Sequence, residues 1–93
     1  MSIKTKPFNP FDYMETHEEI NIFLLECFKD DDPQVFVNAL GHLVKKHGVS
    51  DVAKATGLKR ESLYKSFNGT TNPSWDTVRR VMNVLDINVT RAA

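Results

Sequence analysis

A single cysteine, Cys27, has nothing to bridge to anywhere in this 93-residue chain, so no internal disulfide exists and a reducing compartment suits it. Cys27 falls on the apolar stripe of a predicted helix, which makes it a buried structural thiol rather than a reactive one. There is no Gly-rich stretch to cradle a phosphate. No apolar run is long enough to span a bilayer, and the N-terminus MSIKTKPFNP lacks the apolar core of a signal peptide. A cytoplasmic protein without membrane contact is expected. The three histidines, His17, His42 and His47, offer no metal site: His42 and His47 stand about 140° apart around a helix, whereas an i,i+4 pair could chelate. Cys27 has no evident base beside it. An enzyme is not expected, nor any cofactor or metal.

Net charge is missing too, since twelve Lys and Arg balance twelve Asp and Glu. The balance hides a segregation. Residues 1–48 hold five basic and eight acidic side chains, and residues 49–93 hold seven and four, so the halves carry −3 and +3. A basic half is what phosphate contacts need, because counterion release supplies most non-specific affinity for nucleic acid. The acidic half faces away from such a ligand, as a solubilising surface or as a site for a basic partner.

One domain of this length has a small but adequate core. Residues 1–15 read as an N-terminal tether, extended around Pro7 and Pro10, with Phe8, Phe11 and Tyr13 packed back on the body. Residues 16–93 form the domain. Thr16 caps a helix whose Ile20, Phe23, Leu24, Cys27 and Phe28 recur at helical spacing, and the run Asp30, Asp31, Asp32 ends it. Asp32 caps the next helix, with Pro33 first and Val35, Phe36, Ala39, Leu40, Leu43 and Val44 inward, until His47 and Gly48 stop it. Ser74 caps a last helix with Trp75, Val78, Val81, Met82 and Leu85 buried and Arg79 and Arg80 exposed. Residues 87–90 alternate as a short strand does. Such a strand either frays or pairs with its copy across a two-fold axis, through Ile87 and Val89.

The informative stretch is residues 49–69, VSDVAKATGLKRESLYKSFNG, whose spacing is that of a helix-turn-helix. Ser50 is placed to cap the first helix and Asp51 to favour its dipole. Ala53 is small enough for a second helix to cross close by. Gly57 can take the positive φ of a sharp turn. Leu58 plugs the angle, and Leu63 and Phe67 turn inward from the second helix. Glu61, Lys65 and Asn68 then face outward, with Ser62 and Tyr64 on the flanks and Lys59 and Arg60 at the N-terminal end, where such a helix meets base edges. Taken alone, that face is also compatible with a solvated helix carrying an ordinary Glu61–Lys65 pair.

The frame resembles the Cro/C1-type, lambda-repressor-like helix-turn-helix domain. The whole chain is similar to the addiction-module antidote proteins among them: F-D-Y at residues 11–13, D-P at 32–33, A-L-G at 39–41, T-G-L-K-R-E-S-L-Y at 56–64 and N-P-S at 72–74 carry the likeness. It implies an all-α, five-helix DNA-binding fold. It implies further a dimeric antitoxin of a type II toxin–antitoxin module that neutralises a small basic toxin of the RelE/HigB-like kind and represses its own operon. A stand-alone helix-turn-helix repressor would share the DNA mechanism. By position, Arg60 would contact guanine O6 and N7, Glu61 could accept from cytosine N4, and Lys59, Lys65, Asn68 and the loop amides around Thr70 would hold phosphates. Val49 replaces the phosphate-clamping Gln of many such domains, leaving that role to Ser50. Lys59 replaces a capping Ser or Thr, and Asp86 a helix-ending Gly. The Tyr64 ring either lines the groove or packs against the last helix.

Overall fold

Short-range capping fixes where the helices begin. The computed structural model describes residues 9–68 and 72–87, among which there are five α-helices and no strand. Helix α1, His17–Phe28, starts at Thr16, whose hydroxyl accepts from the Glu19 amide at 3.1 Å while the Glu19 carboxylate accepts from the Thr16 amide at 3.0 Å. This reciprocal box satisfies two amides that the helix itself leaves unpaired. The same carboxylate also accepts from the Glu15 amide, and these backbone bonds, that of Glu15 foremost, hold Glu19 below the usual carboxylate range. The acidic run then leads directly into helix α2, Pro33–His47: Asp30 accepts from the Asp32 amide, and Asp32 accepts from the Gln34 amide at 3.0 Å as N-cap.

Helices α1 and α2 pack on each other and, through α2, on the remainder, Val49–Thr56 (α3), Arg60–Ser66 (α4) and Trp75–Leu85 (α5). Leu24, Leu40, Val52, Leu63 and Val81 are fully buried at the centre of one core. Each side chain of this size contributes about 1.5–3 kcal/mol on leaving water. Cys27 is half-buried, and burial, aided by the Asp30 and Glu26 carboxylates, pushes its thiol up, so it stays protonated.

Phe11 joins that core with no exposed surface, but the segment carrying it is not extended as the prolines imply. Pro10–Tyr13 forms a single 3-10 turn, because Pro10 presets φ at its first position and the Asn9 side chain accepts from the Phe11 amide. Asn9 also donates to the His42 carbonyl at 2.8 Å, and Asp12 pairs with Lys46 at 3.2 Å, so the turn is fastened to α2. Phe11 meets Phe23 edge to face, whereas Tyr13 stands in solvent. Phe8 lies outside the described residues.

Two expected core residues are at the surface: Phe28 is 47% exposed and Trp75 61%. They are the last residue of α1 and the first of α5. Helical period assigns them a face, but each is the terminal residue of its helix, where less of the neighbouring structure covers the side chain. Val35 is half-buried for a similar positional reason, in the first turn of α2.

Helix α5 ends on Asp86, the one non-glycine residue with positive φ among those described (φ 57°). Its amide bonds the Asn83 carbonyl and that of Ile87 bonds the Met82 carbonyl, a Schellman ending in which Ile87 folds back onto the core at 8% exposure. His17 Nε2 reaches the Asp86 carbonyl oxygen at 2.7 Å and so joins the two ends of the chain's helical run. Ile87 therefore does not begin a strand. The remaining residues expected in that strand, 88–90, lie outside the described part. No helix among the described residues is long and apolar enough to cross a membrane.

Candidate nucleic-acid interface

Helices α3 and α4 meet across residues 57–59, and their inner faces explain the angle. Val52 and Ala53 of α3 are buried, as are Leu63 of α4 and Phe67 just beyond it. Gly57 adopts φ 79° and bonds the Ala53 carbonyl at 3.0 Å, a left-handed ending that a Cβ would strain. Leu58 packs against the core between the helices. Sequence reasoning missed the part played by Thr56. Its buried hydroxyl donates to the Val52 carbonyl at 2.7 Å and accepts from the Leu58 amide at 3.2 Å, locking the turn from within. Arg80, expected simply to be exposed, reaches across from α5 to the Thr56 carbonyl while pairing with Asp76 at 3.0 Å.

The start of α3 differs from expectation. Gly48 (φ 114°) closes α2 through the Val44 carbonyl, and its own carbonyl already accepts from Val52, so α3 begins at Val49. Gly48 is the N-cap, no side chain caps the helix, and Ser50 sits inside the first turn, too late to be the cap. It is exposed there, beside Arg60 and Tyr64, in a groove of ≈ 420 Å³.

On α4, Lys59 is the N-cap and makes no capping bond, while Arg60, Glu61, Ser62, Tyr64 and Lys65 are all exposed. The helix ends at Ser66; Phe67 is its C-cap and Asn68, expected on its outward face, lies exposed two residues past its end. Arg60 and Tyr64 are one turn apart, and the guanidinium lies 5.8 Å from the ring centroid, within cation–π range. Of the two places expected for the Tyr64 ring, the exposed groove is where it is found, 47% exposed. It borders Lys45 and Val49 there. The loop that carries Thr70 is outside the described residues, as is Val89.

Lys45 is the second feature that sequence reasoning missed. It closes α2, lines the groove with Ser50, Arg60 and Tyr64, and borders Asn68 on its other side. A cut at residue 48 counts it with the acidic half, yet in space it shares a groove with Arg60. The signal was present in the Lys45, Lys46, His47 run that closes α2, where cations also suit the helix dipole. The assembled surface offers four cations (Lys45, Lys59, Arg60, Lys65), three hydroxyls (Ser50, Ser62, Tyr64), the Asn68 amide and two carboxylates (Asp51, Glu61). Chemically it is equipped to pair with phosphates and to donate to acceptors on base edges.

Residues 4–93 match the model of a family described as "probable addiction module antidote protein". The chain is also 33% identical, over 87 residues, to an uncharacterised protein of Haemophilus influenzae, a match covering 94% of this chain and 90% of that protein. No solved structure matches it.

Proposed function

This chain belongs to the addiction module antidote family, which implies a toxin partner, and from that premise we propose that it is a DNA-binding antitoxin of a type II module. In this reading α3, the turn and α4 form a Cro/C1-type, lambda-repressor-like helix-turn-helix. The protein neutralises a small basic RelE/HigB-like toxin and represses its own operon. The observation that carries the proposal is the exposed polar face of α4, set beside Ser50 and Lys45 and held at a fixed angle by Ala53, Thr56 and Gly57.

Arg60 reads a guanine, its guanidinium partly oriented by the Tyr64 ring; Glu61 accepts from cytosine N4, and Ser62 lies beside them. Lys45, Lys59, Lys65, Asn68 and the residues around Thr70 hold phosphates, and Ser50 takes the place of the usual clamping Gln. The operator is bound by a homodimer whose two α4 helices enter successive major grooves, about 34 Å apart. Ile87 is buried in its own core, so the proposed dimer contact falls to Val89.

Titration of a duplex spanning the chain's own promoter, over a range of salt, tests this. Arg60→Ala costs about 1–3 kcal/mol and relaxes preference at one base pair, whereas Lys65→Ala weakens all sequences alike and lowers the salt slope by about one. Unchanged operator affinity in Arg60→Ala would refute this docking of α4.

A further inference from the structure

Two of the four exposed aromatic side chains among the described residues, Phe28 and Trp75, stand on one groove of ≈ 600 Å³ floored by Phe36 and Val78, with Asp30 and Asp31 on its rim. The Phe28 ring meets Phe36 edge on at 5.1 Å, so the wall is anchored, while Trp75 is 61% exposed. Large aromatics exposed together around a concavity mark an interaction site, and Trp is the residue most enriched among binding hot spots. No Lys or Arg lines the groove. Asp31 has no ion-pair partner among the described residues.

We propose that this groove is the dock for the toxin, and that it takes a protein segment bearing an arginine or lysine beside an apolar residue. The apolar residue fills the floor over Phe36 and Val78. The cation stacks on the Trp75 ring and pairs with the Asp30 and Asp31 carboxylates. Charge excludes nucleic acid, since the rim carboxylates repel phosphates that the α4 face attracts, and the groove shares no residue with that face. The partner's class rests on the antitoxin reading; the groove's chemistry does not.

The chain contains one tryptophan, so its fluorescence reports on the groove alone. The full chain is titrated with the purified product of the short open reading frame beside its gene, following tryptophan emission in the wild type and Asp31→Lys, and affinity by calorimetry in the wild type, Trp75→Ala and Asp31→Lys. Own-promoter DNA is titrated in parallel. Both positions are exposed, and circular dichroism checks that each variant folds. On complex formation the wild-type emission moves to shorter wavelength, and each substitution weakens the complex about 30-fold or more, the scale of a hot-spot residue, with DNA affinity unchanged. Wild-type affinity for the partner in either variant overturns the dock and leaves the antitoxin reading standing. A wild type that does not bind the partner removes that reading and this proposal together. Loss of DNA affinity in Trp75→Ala assigns the groove to nucleic acid. Emission already at short wavelength in the free chain, moving to longer wavelength when residues 1–8 or 88–93 are deleted, assigns it to the chain's own ends. Either result overturns the proposal.

Discussion

Gly41 to alanine sets two opposed effects against each other at the contact between α2 and the end of α4. Within a helix, alanine is favoured over glycine by about 1 kcal/mol. The added Cβ, however, would lie 3.0 Å from Phe67 Cβ and 3.1 Å from the Phe67 carbonyl oxygen, where ordinary contact begins at 3.4 Å. Phe67 would have to retreat by several tenths of an ångström, and the second atom is backbone, with no rotamer to yield. Overpacking of this kind costs about 1–3 kcal/mol, so a net loss of about 1 kcal/mol is expected. For a domain of this size that is a fall of about 4–8 °C in the unfolding midpoint. Because Phe67 closes α4, operator affinity should fall with it. Gly57→Ala is the contrasting case, with nothing within 4 Å of its Cβ but φ at +79°; it should lose about 1 kcal/mol through the backbone alone. Urea unfolding of both variants decides the matter. A Gly41→Ala protein stabilised by the full propensity gain would refute the tight seat described for Phe67.

Three further substitutions separate stability from binding. Lys59→Ser supplies the missing cap of α4 and should stabilise by about 1 kcal/mol; promoter titrations should show weaker binding and a shallower salt slope, and a variant that binds more tightly would remove Lys59 from the interface. Thr56→Val strands the half-buried Leu58 amide and should cost about 1–3 kcal/mol in urea unfolding, a neutral result meaning that the hydroxyl does not hold the turn. Glu19 titrates below its ordinary range in the fold, so its capping contribution is complete above the ordinary carboxylate pKa and is lost as pH falls through the lowered one. Melting curves against pH should therefore show the wild type exceeding Glu19→Gln at neutral pH and converging with it in acid. A gap that stays constant into acid would show that the backbone bonds do not depend on ionisation.

Legibility in this chain follows range. Thr16, Asp32 and Ser74 were readable as caps because a cap bonds an amide two or three residues on, and Gly57 because a positive φ is a property of one residue. The inward face of each helix was readable from period. On α4, the same period placed Glu61 and Lys65 outward with Ser62 and Tyr64 on the flanks, and all four are exposed; Asn68, also placed outward, is exposed beyond the end of the helix. Failures came where the answer depended on a distant segment. Ser50 is the local exception, losing the cap because Gly48, two residues before it, had already turned the chain, whereas Pro10–Tyr13 wound up where Asn9 held both Phe11 and the distant His42 carbonyl.

Sequence alone therefore determined the helices, the turn between α3 and α4 and the polar character of the α4 face, all of which rest on bonds and periodicities spanning about a turn of chain. Tertiary structure decided which charges share a surface and which apolar residues find a partner. Lys45 joins Arg60 and Tyr64, Arg80 bonds Thr56, Ile87 turns into the core, and Phe28 and Trp75 are left on one acidic groove. The physical reason is that burial depends on where one helix stops against another, and helical period carries no information about that.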